Sequence, residues 1–470
     1  MNVNKIMRGN KMLSSISTIF SKLNFENRSV KIYSILSIVG ILLIFAAPDN
    51  FAIPSFARQT NLSCNYCHYT YPALTPFGRM FKLKGYTLMS AESIESVSSD
   101  SESTTLMIPS TFPFSAFVKS SFTSISKGAP GIDKSFVQSP EELSLFVSGE
   151  ISPKIGGFVQ LTYGLSDGSI GLDMLDLRYA NHTLLGSKEL IYGLTLNNLP
   201  SVEDLWNTTP VWSFPYYGSE FAPAPTAATL IQSMEGVAGL GAYALYNNLI
   251  YAEVAGYHSS PAGVSYPPDA SWEGHIKGVS PYWRLALQHQ WKSQYVEVGT
   301  YGISSSIYPE GVTGSTDKYT DIGFDAQFEC TGNNNSSWIF HTTYITEKQN
   351  LDATFNDEGS ANASNKLNYF KIDGTYNFPE FASLTAGFFS VSGSNDAVLY
   401  APGDISGSAN GEPNSIGEIL QLTLSPWMNT QIGVQYTLYN KFNGASSNYD
   451  GAGRNASDNN TLYVMTWLVF

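Results

Sequence analysis

From about residue 111 to Phe470, β-patterned runs are joined by connections that alternate between short and long over most of the chain. Short connections fall at Ser152-Pro-Lys-Ile-Gly156, Tyr246-Asn-Asn248, Trp291-Lys-Ser293, Gly332-Asn-Asn-Asn335, Phe378-Pro-Glu-Phe381 and Pro426-Trp-Met428, each built from turn-forming residues. Long stretches lie between them, near residues 127–141, 200–235, 258–279, 308–318, 348–366, 393–415 and 440–460. The runs alternate with period two. Ile432, Val434, Tyr436 and Leu438 share one face, and Gln431, Gly433, Gln435 and Thr437 the other. Ile322, Phe324, Ala326 and Phe328 oppose Asp321, Asp325, Gln327 and Glu329 in the same way. A soluble sandwich gives the same alternation. The connection lengths discriminate, because an outer-membrane barrel has short turns at one rim and long loops at the other.

Composition agrees. Charged residues are only 14% of the chain, against about 25% in ordinary soluble domains. Aromatics reach 13%, and no late run of about eighteen apolar residues suggests a helical span. The expected fold is mainly β: an outer-membrane β-barrel of about sixteen strands over residues 111–470, closed by the aromatic-ended strand Leu462-Tyr-Val-Met-Thr-Trp-Leu-Val-Phe470. Nothing points to nucleic acid.

Residues 1–52 read as an export signal. Lys5, Arg8, Lys11, Lys22, Arg28 and Lys31 precede an apolar run over residues 32–45, followed by the small residues Ala46, Ala47 and Ala52. A retained anchor is the other reading, but the run is short for a spanning helix. Removing these residues takes the formal net charge from −14 to about −18. The expected location is the bacterial outer membrane.

Residues 53–90 carry Cys64-Asn65-Tyr66-Cys67-His68. Two cysteines three apart with a histidine immediately after is the spacing of covalent haem attachment: two thiols for the vinyl groups, one imidazole for the iron. A structural zinc site needs four ligands, and the only other cysteine is the distant Cys330, which lies on the lipid-facing parity. A redox dithiol sits in a thioredoxin-like context that this chain lacks. The expectation is one covalent haem c, with Cys64 and Cys67 as attachment points and His68 as proximal ligand. For the opposite face of the iron, Met89 is preferred and Met80 is the alternative; either residue is also a common packing residue.

A segment this short cannot bury a haem by itself, and Pro72 and Pro76 preclude one long helix. A second structure must shelter the group. Arg58, Arg79, Lys82 and Lys84 face no acidic residue between positions 53 and 91, so the segment suits haem propionates or an acidic surface. Residues 91–110, rich in Ser, Glu and Thr, read as a linker.

The register places Asp176, Arg178, Glu253, Arg284, Glu297, Asp321, Asp325, Glu329, His341, Lys371 and Asp373 in the lumen. Acids are in excess, and Asp321, Asp325 and Glu329 are candidates for attracting cations, although any porin lumen is polar. The stretch 197–221 holds Trp206, Trp212, Phe214, Tyr216 and Tyr217. So aromatic a loop is expected to fold over or into the barrel and cover the haem, an interfacial girdle being the other reading.

These residues bear a family resemblance. Pro54-Ser-Phe-Ala-Arg-Gln-Thr60, the Cys64 to His68 motif, Pro72-Ala-Leu-Thr-Pro-Phe-Gly-Arg79, Phe81-Lys82 and Gly85-Tyr-Thr87 resemble the fused outer-membrane monohaem cytochrome–porins of iron-oxidising bacteria. Asn197-Asn-Leu-Pro200 with Leu205-Trp-Asn-Thr-Thr-Pro210 is a second match, and Asn61 stands where a glycine is expected in relatives. The resemblance spans about thirty-five amino-terminal residues; over the barrel it is architectural. It implies oxidation of extracellular Fe(II) at a haem held in or at a barrel pore. Electrons would pass to a periplasmic c-type cytochrome or copper protein. Such chemistry needs no nucleophile or general base, and the sequence holds no Ser-His-Asp set or phosphate loop. The competing expectations are a conduit for another donor and a solute porin whose haem plug is structural.

Overall fold

The structure is a computed structural model. It describes residues 55–88 and 113–470, apart from 129–130, 132, 165–167, 211, 261–272, 333, 335, 380–381, 404 and 428. The export signal, the linker and Met89 lie outside the described residues.

The chain forms β1 (Phe114–Ile125), β2 (Ser135–Ser152), β3 (Ile155–Tyr163), β4 (Ile170–Leu185), β5 (Lys188–Asn197), β6 (Val237–Tyr246), β7 (Ile250–Ser259), β8 (Glu273–Ile276), β9 (Ser280–Trp291), β10 (Gln294–Glu310), β11 (Asp317–Thr331), β12 (Ser337–Asn350), β13 (Ser364–Asn377), β14 (Ala382–Gly393), β15 (Ser415–Leu424), β16 (Thr430–Lys441) and β17 (Thr461–Val469). Each wall strand pairs antiparallel with its neighbour in the chain. Strand β7 pairs with β9, because the short β8 sits on the end of β10. The last strand returns to the first, from Phe117↔Val469 to Ile125↔Thr461. The wall is therefore a closed ring of sixteen strands with no free edge.

Alternation along the strands becomes inside and outside. Leu240, Val254, Leu285, Phe324, Leu384 and Leu420 are exposed on the outer face. Their neighbours Glu253, Arg284, Asp325, Thr385 and Gln421 are buried inside. A continuous apolar exterior on a closed barrel is the solution a bilayer demands, since no backbone group is left unpaired in hydrocarbon. This is a porin-like outer-membrane barrel. No helix among the described residues is long and apolar enough to cross a membrane.

Seven short connections, all but 185–188 among those read from the sequence, gather at one rim. The long loops gather at the other. By the usual orientation the short-turn rim is periplasmic. Exposed Trp291 and Trp338 stand beside it, where amphipathic rings settle at a membrane interface. One boundary differs from the sequence reading: β2 begins at Ser135, inside the stretch read as loop 127–141. The ladder Phe122↔Val137 to Ser124↔Ser135 outweighs the local turn signal there. The connection at 163–170 is also only a few residues long, so the alternation of lengths is not strict.

Candidate haem site

Residues 55–88 fold as three short helices: α1 (Ser55–Thr60), α2 (Cys64–Cys67) and α3 (Pro76–Leu83). Pro76 opens α3, where its missing N–H costs nothing, and the Thr75 hydroxyl accepts from the Gly78 N–H at 3.1 Å. The helix ends at Gly85, whose φ of 71° suits a left-handed cap. Gly78 lies against α2 so closely that a Cβ there would stand 2.2 Å from the Cys67 carbonyl oxygen. On the wall, a Cβ at Gly156 would stand 2.3 Å from the Gly85 carbonyl oxygen.

These helices plug the lumen. Arg79 forms a buried ion pair with Glu329, whose other oxygen accepts from the Tyr69 hydroxyl at 2.9 Å. Tyr86 donates to Asp176 at 2.7 Å, and Tyr243 donates to the Leu83 carbonyl at 2.7 Å. Gln59 donates to the Ser148 carbonyl at 3.0 Å, and Arg58 reaches the Phe114 carbonyl. Of the four cations of the segment, Arg79 meets a wall carboxylate, while Arg58 and Lys82 donate to backbone carbonyls.

The loop from 198 to 236 also turns inward. Asp204 knots it by accepting from the N–H groups of Trp206, Thr208 and Thr209 at 3.0, 2.8 and 3.1 Å. Arg284 holds Asp204 at 3.5 Å, Glu297 at 3.4 Å and Asp325, and lies 4.8 Å from the Trp206 ring centroid. Burial alone would raise the Asp204 carboxyl, but Arg284, the loop N–H groups and Lys82 more than offset it and hold the group below its usual 3.8. Loop and plug meet directly: Lys82 donates to the carbonyls of Val202 and Asp204 at 2.5 and 2.8 Å, and the Leu74 N–H donates to Asn207 at 3.0 Å.

Between plug, loop and periplasmic rim lies a cavity of about 650 Å³, within the range of cofactor sites. Cys64, Cys67 and His68 line it, with Lys82, Trp212, Phe158, Phe117 and Trp467. The residues present fit a c-type haem. His68 Nδ1 lies 3.2 Å from the Pro72 carbonyl oxygen, which assigns the proton to Nδ1 and leaves Nε2 the nitrogen that could ligate an iron. Burial, partly opposed by that hydrogen bond, lowers the imidazole to about 4, so it stays neutral, the form that binds iron. Burial, and then the neighbouring Cys64 thiol, pushes Cys67 up to about 11. A reactive redox dithiol has the opposite shift. Tyr71 packs 5.2 Å from the His68 ring and edge-on to Tyr216 and Trp467 at 5.5 and 5.7 Å, and Tyr216 stacks on Trp212 at 5.5 Å.

Met80 is not part of this cavity. It packs with Leu83, Leu205, Trp206 and Tyr295 and lines a separate small pocket, so the structure does not bring it to the face opposite His68. All eleven ionisable groups expected in the lumen are buried. Asp325 and Glu329 are engaged by Arg284 and Arg79 rather than left to attract cations; Asp321 accepts from the Ile231 N–H at 2.9 Å. His341 pairs with Asp373 at 3.1 Å. Among the described residues no three or more His, Cys, Asp or Glu side chains are grouped to hold a metal ion. The sequence reading missed the Asp204 knot and the Asn207 bridge; the run of threonines after Asp204 is the signal that marks an acceptor capping nearby N–H groups.

No protein-family model matches the chain, nor does any curated protein sequence. Among solved structures it is similar to OmpTdeltaL8, a loop-deletion mutant of an outer membrane protein of Vibrio cholerae, at 11% identity over 76% of this chain and 98% of that one, with a TM-score of 0.43. OmpF of Salmonella typhi, in complex with daunomycin, is 13% identical over 76% and 97%, TM-score 0.44. An anion-selective porin from Comamonas acidovorans is 10% identical over 76% and 98%, TM-score 0.44.

Proposed function

We propose that this chain is an outer-membrane electron-transfer protein carrying one c-type haem on Cys64 and Cys67, ligated by His68. In this reading it takes electrons from extracellular ferrous iron and passes them to a periplasmic c-type cytochrome or copper protein. The observation that carries the reading is the position of the attachment motif. It belongs to a plug that fills the lumen, and it lines a cavity of haem size at the short-turn rim. The haem, when bound, supplies a one-electron couple.

The chain's own residues do the rest. The Pro72 carbonyl fixes the His68 ring, which fixes the ligating nitrogen. Trp212, Phe158, Phe117 and Trp467 give the cavity an apolar wall, which would favour the less charged state of an iron held there. Lys82, buried at the cavity wall, offers a cation to a propionate. Tyr66 is more than half exposed beside Cys67, and Phe77 is exposed 6.5 Å from it. They form an apolar edge where a periplasmic acceptor can approach. Ferrous iron as donor rests on the resemblance of residues 54–87 to the cytochrome–porins.

The porin-like barrel supports a second reading, a solute channel or a conduit for another donor with a structural haem plug. Planar-bilayer conductance combined with redox titration separates the two. A closed channel with a haem that cycles between oxidised and reduced forms supports electron transfer; open-channel current with a redox-silent haem overturns it.

A further inference from the structure

Carboxylates recur every four residues along the inner face of β11: Asp317, Asp321, Asp325 and Glu329, all buried. Three are matched by donors. Asp317 accepts from the N–H groups of Ala353 and Thr354 at 2.9 and 3.1 Å, Asp325 meets Arg284, and Glu329 meets Arg79.

Asp321 is different. Its direct cross-strand partner is Glu347 on β12, a second carboxylate. Both are 1% exposed, and neither belongs to any of the ion pairs among the described residues. The lumen loop spends two backbone donors on them: Leu230 N–H to Glu347 Oε2 at 2.5 Å and Ile231 N–H to Asp321 Oδ2 at 2.9 Å. Gln349, itself buried, donates its Nε2 to Glu347 Oε1 at 2.6 Å. The Asp321 Oδ1 and the Gln349 Oε1 are buried without a hydrogen-bond partner. Neutral N–H dipoles do not balance two carboxylates in a low-dielectric interior, and orphaned oxygens there are costly. Two facing buried carboxylates with no cation, and an amide oxygen left without a partner two residues along the same strand, are oxygen donors of the type a hard divalent cation takes.

We infer that Asp321, Glu347 and Gln349 form a binding site for an oxygen-preferring divalent cation, clamped between the wall and the inward loop. Asp321 is the second of the four carboxylates counted from the long-loop end of β11, so the site lies in the external half of the lumen. It involves no residue of the haem cavity and stands whether or not the haem reading does.

The test uses the full chain in detergent, stripped with chelator and loaded with Mn(II), whose electron paramagnetic resonance reports protein-bound ion directly. The expected result is one Mn(II) retained per chain. Retention falls about tenfold or more in D321N/E347Q, and severalfold in Q349L, which keeps both carboxylates. Far-ultraviolet circular dichroism on the same samples checks the barrel, and Q349L decides if the double variant does not fold. Failure of the wild type to retain Mn(II), or equal retention by Q349L and the folded double variant, overturns the assignment. The pair would then hold a proton only.

Discussion

The guanidinium of Arg79, on the helix that follows the haem motif, is paired with the carboxylate of Glu329 on the barrel wall, and both groups are shut away from water. Arg79 also lies 4.1 Å from the centroid of the Tyr295 ring. The pair joins a segment too small to fold alone to the barrel that shelters it.

Removing one partner leaves the other charged and buried, a loss of about 3–5 kcal/mol. Arg79→Leu is therefore expected to loosen the plug while the sixteen-strand wall persists. Limited proteolysis should cleave residues 55–88 in the variant and spare them in the wild type, with circular dichroism unchanged. Equal protection would mean that the pair does not anchor the segment.

Gly78 and His68 make separate demands on the haem site. In Gly78→Ala the new Cβ collides with the Cys67 carbonyl, so α2 and α3 must part. Haem incorporation, read by peroxidase-type staining of the denatured chain, is expected to fall. His68→Ala should retain covalent haem through Cys64 and Cys67 but show the absorption spectrum of an altered axial ligand. A His68→Ala spectrum identical to wild type would remove His68 as ligand.

The Asp204 knot sets a pH dependence. Its carboxyl is held below the usual 3.8 in the folded chain, so its stabilisation is present above that pH and is lost as pH falls through the lower folded value. Hydrogen bonds to a charged group contribute about 1.5–3 kcal/mol, so Asp204→Asn should loosen the loop at neutral pH. Fluorescence from Trp206 and Trp212 should separate wild type from variant at neutral pH. The difference should persist to about pH 4 and vanish in stronger acid.

The plug also predicts a closed pore. Deleting residues 53–90 should convert a nearly silent chain into one that passes current across a planar bilayer. The Arg284-held loop still narrows the lumen, so the current should stay below that of an unobstructed sixteen-strand barrel. No gain of current would show that the plug is not what closes the lumen.

The barrel was legible because its signals are local and repeated. Period-two alternation places Asp321, Asp325 and Glu329 inside and Phe324 and Phe328 outside without knowledge of any contact. The proposed haem attachment was read from three residues at fixed spacing alone. What joins the two was not legible. Arg79 finds Glu329 from 250 residues away, and Leu74 finds Asn207 from 133. No pattern within either segment records such a partner. The start of β2 was hidden by Ser139-Pro140, which read as turn although Ser135 to Gln138 before them pair with β1. Met80 looked like a ligand by proximity in sequence, yet α3 turns it toward Trp206 and Tyr295.

The central claim is that a haem on Cys64 and Cys67 accepts electrons from ferrous iron. Stopped-flow mixing of the oxidised, haem-loaded full chain with Fe(II), at acid and at neutral pH, tests it most directly. The account predicts the spectrum of the reduced haem at one of these pH values at least, with one haem reduced per chain. A haem that dithionite reduces but Fe(II) leaves oxidised at both pH values would contradict it.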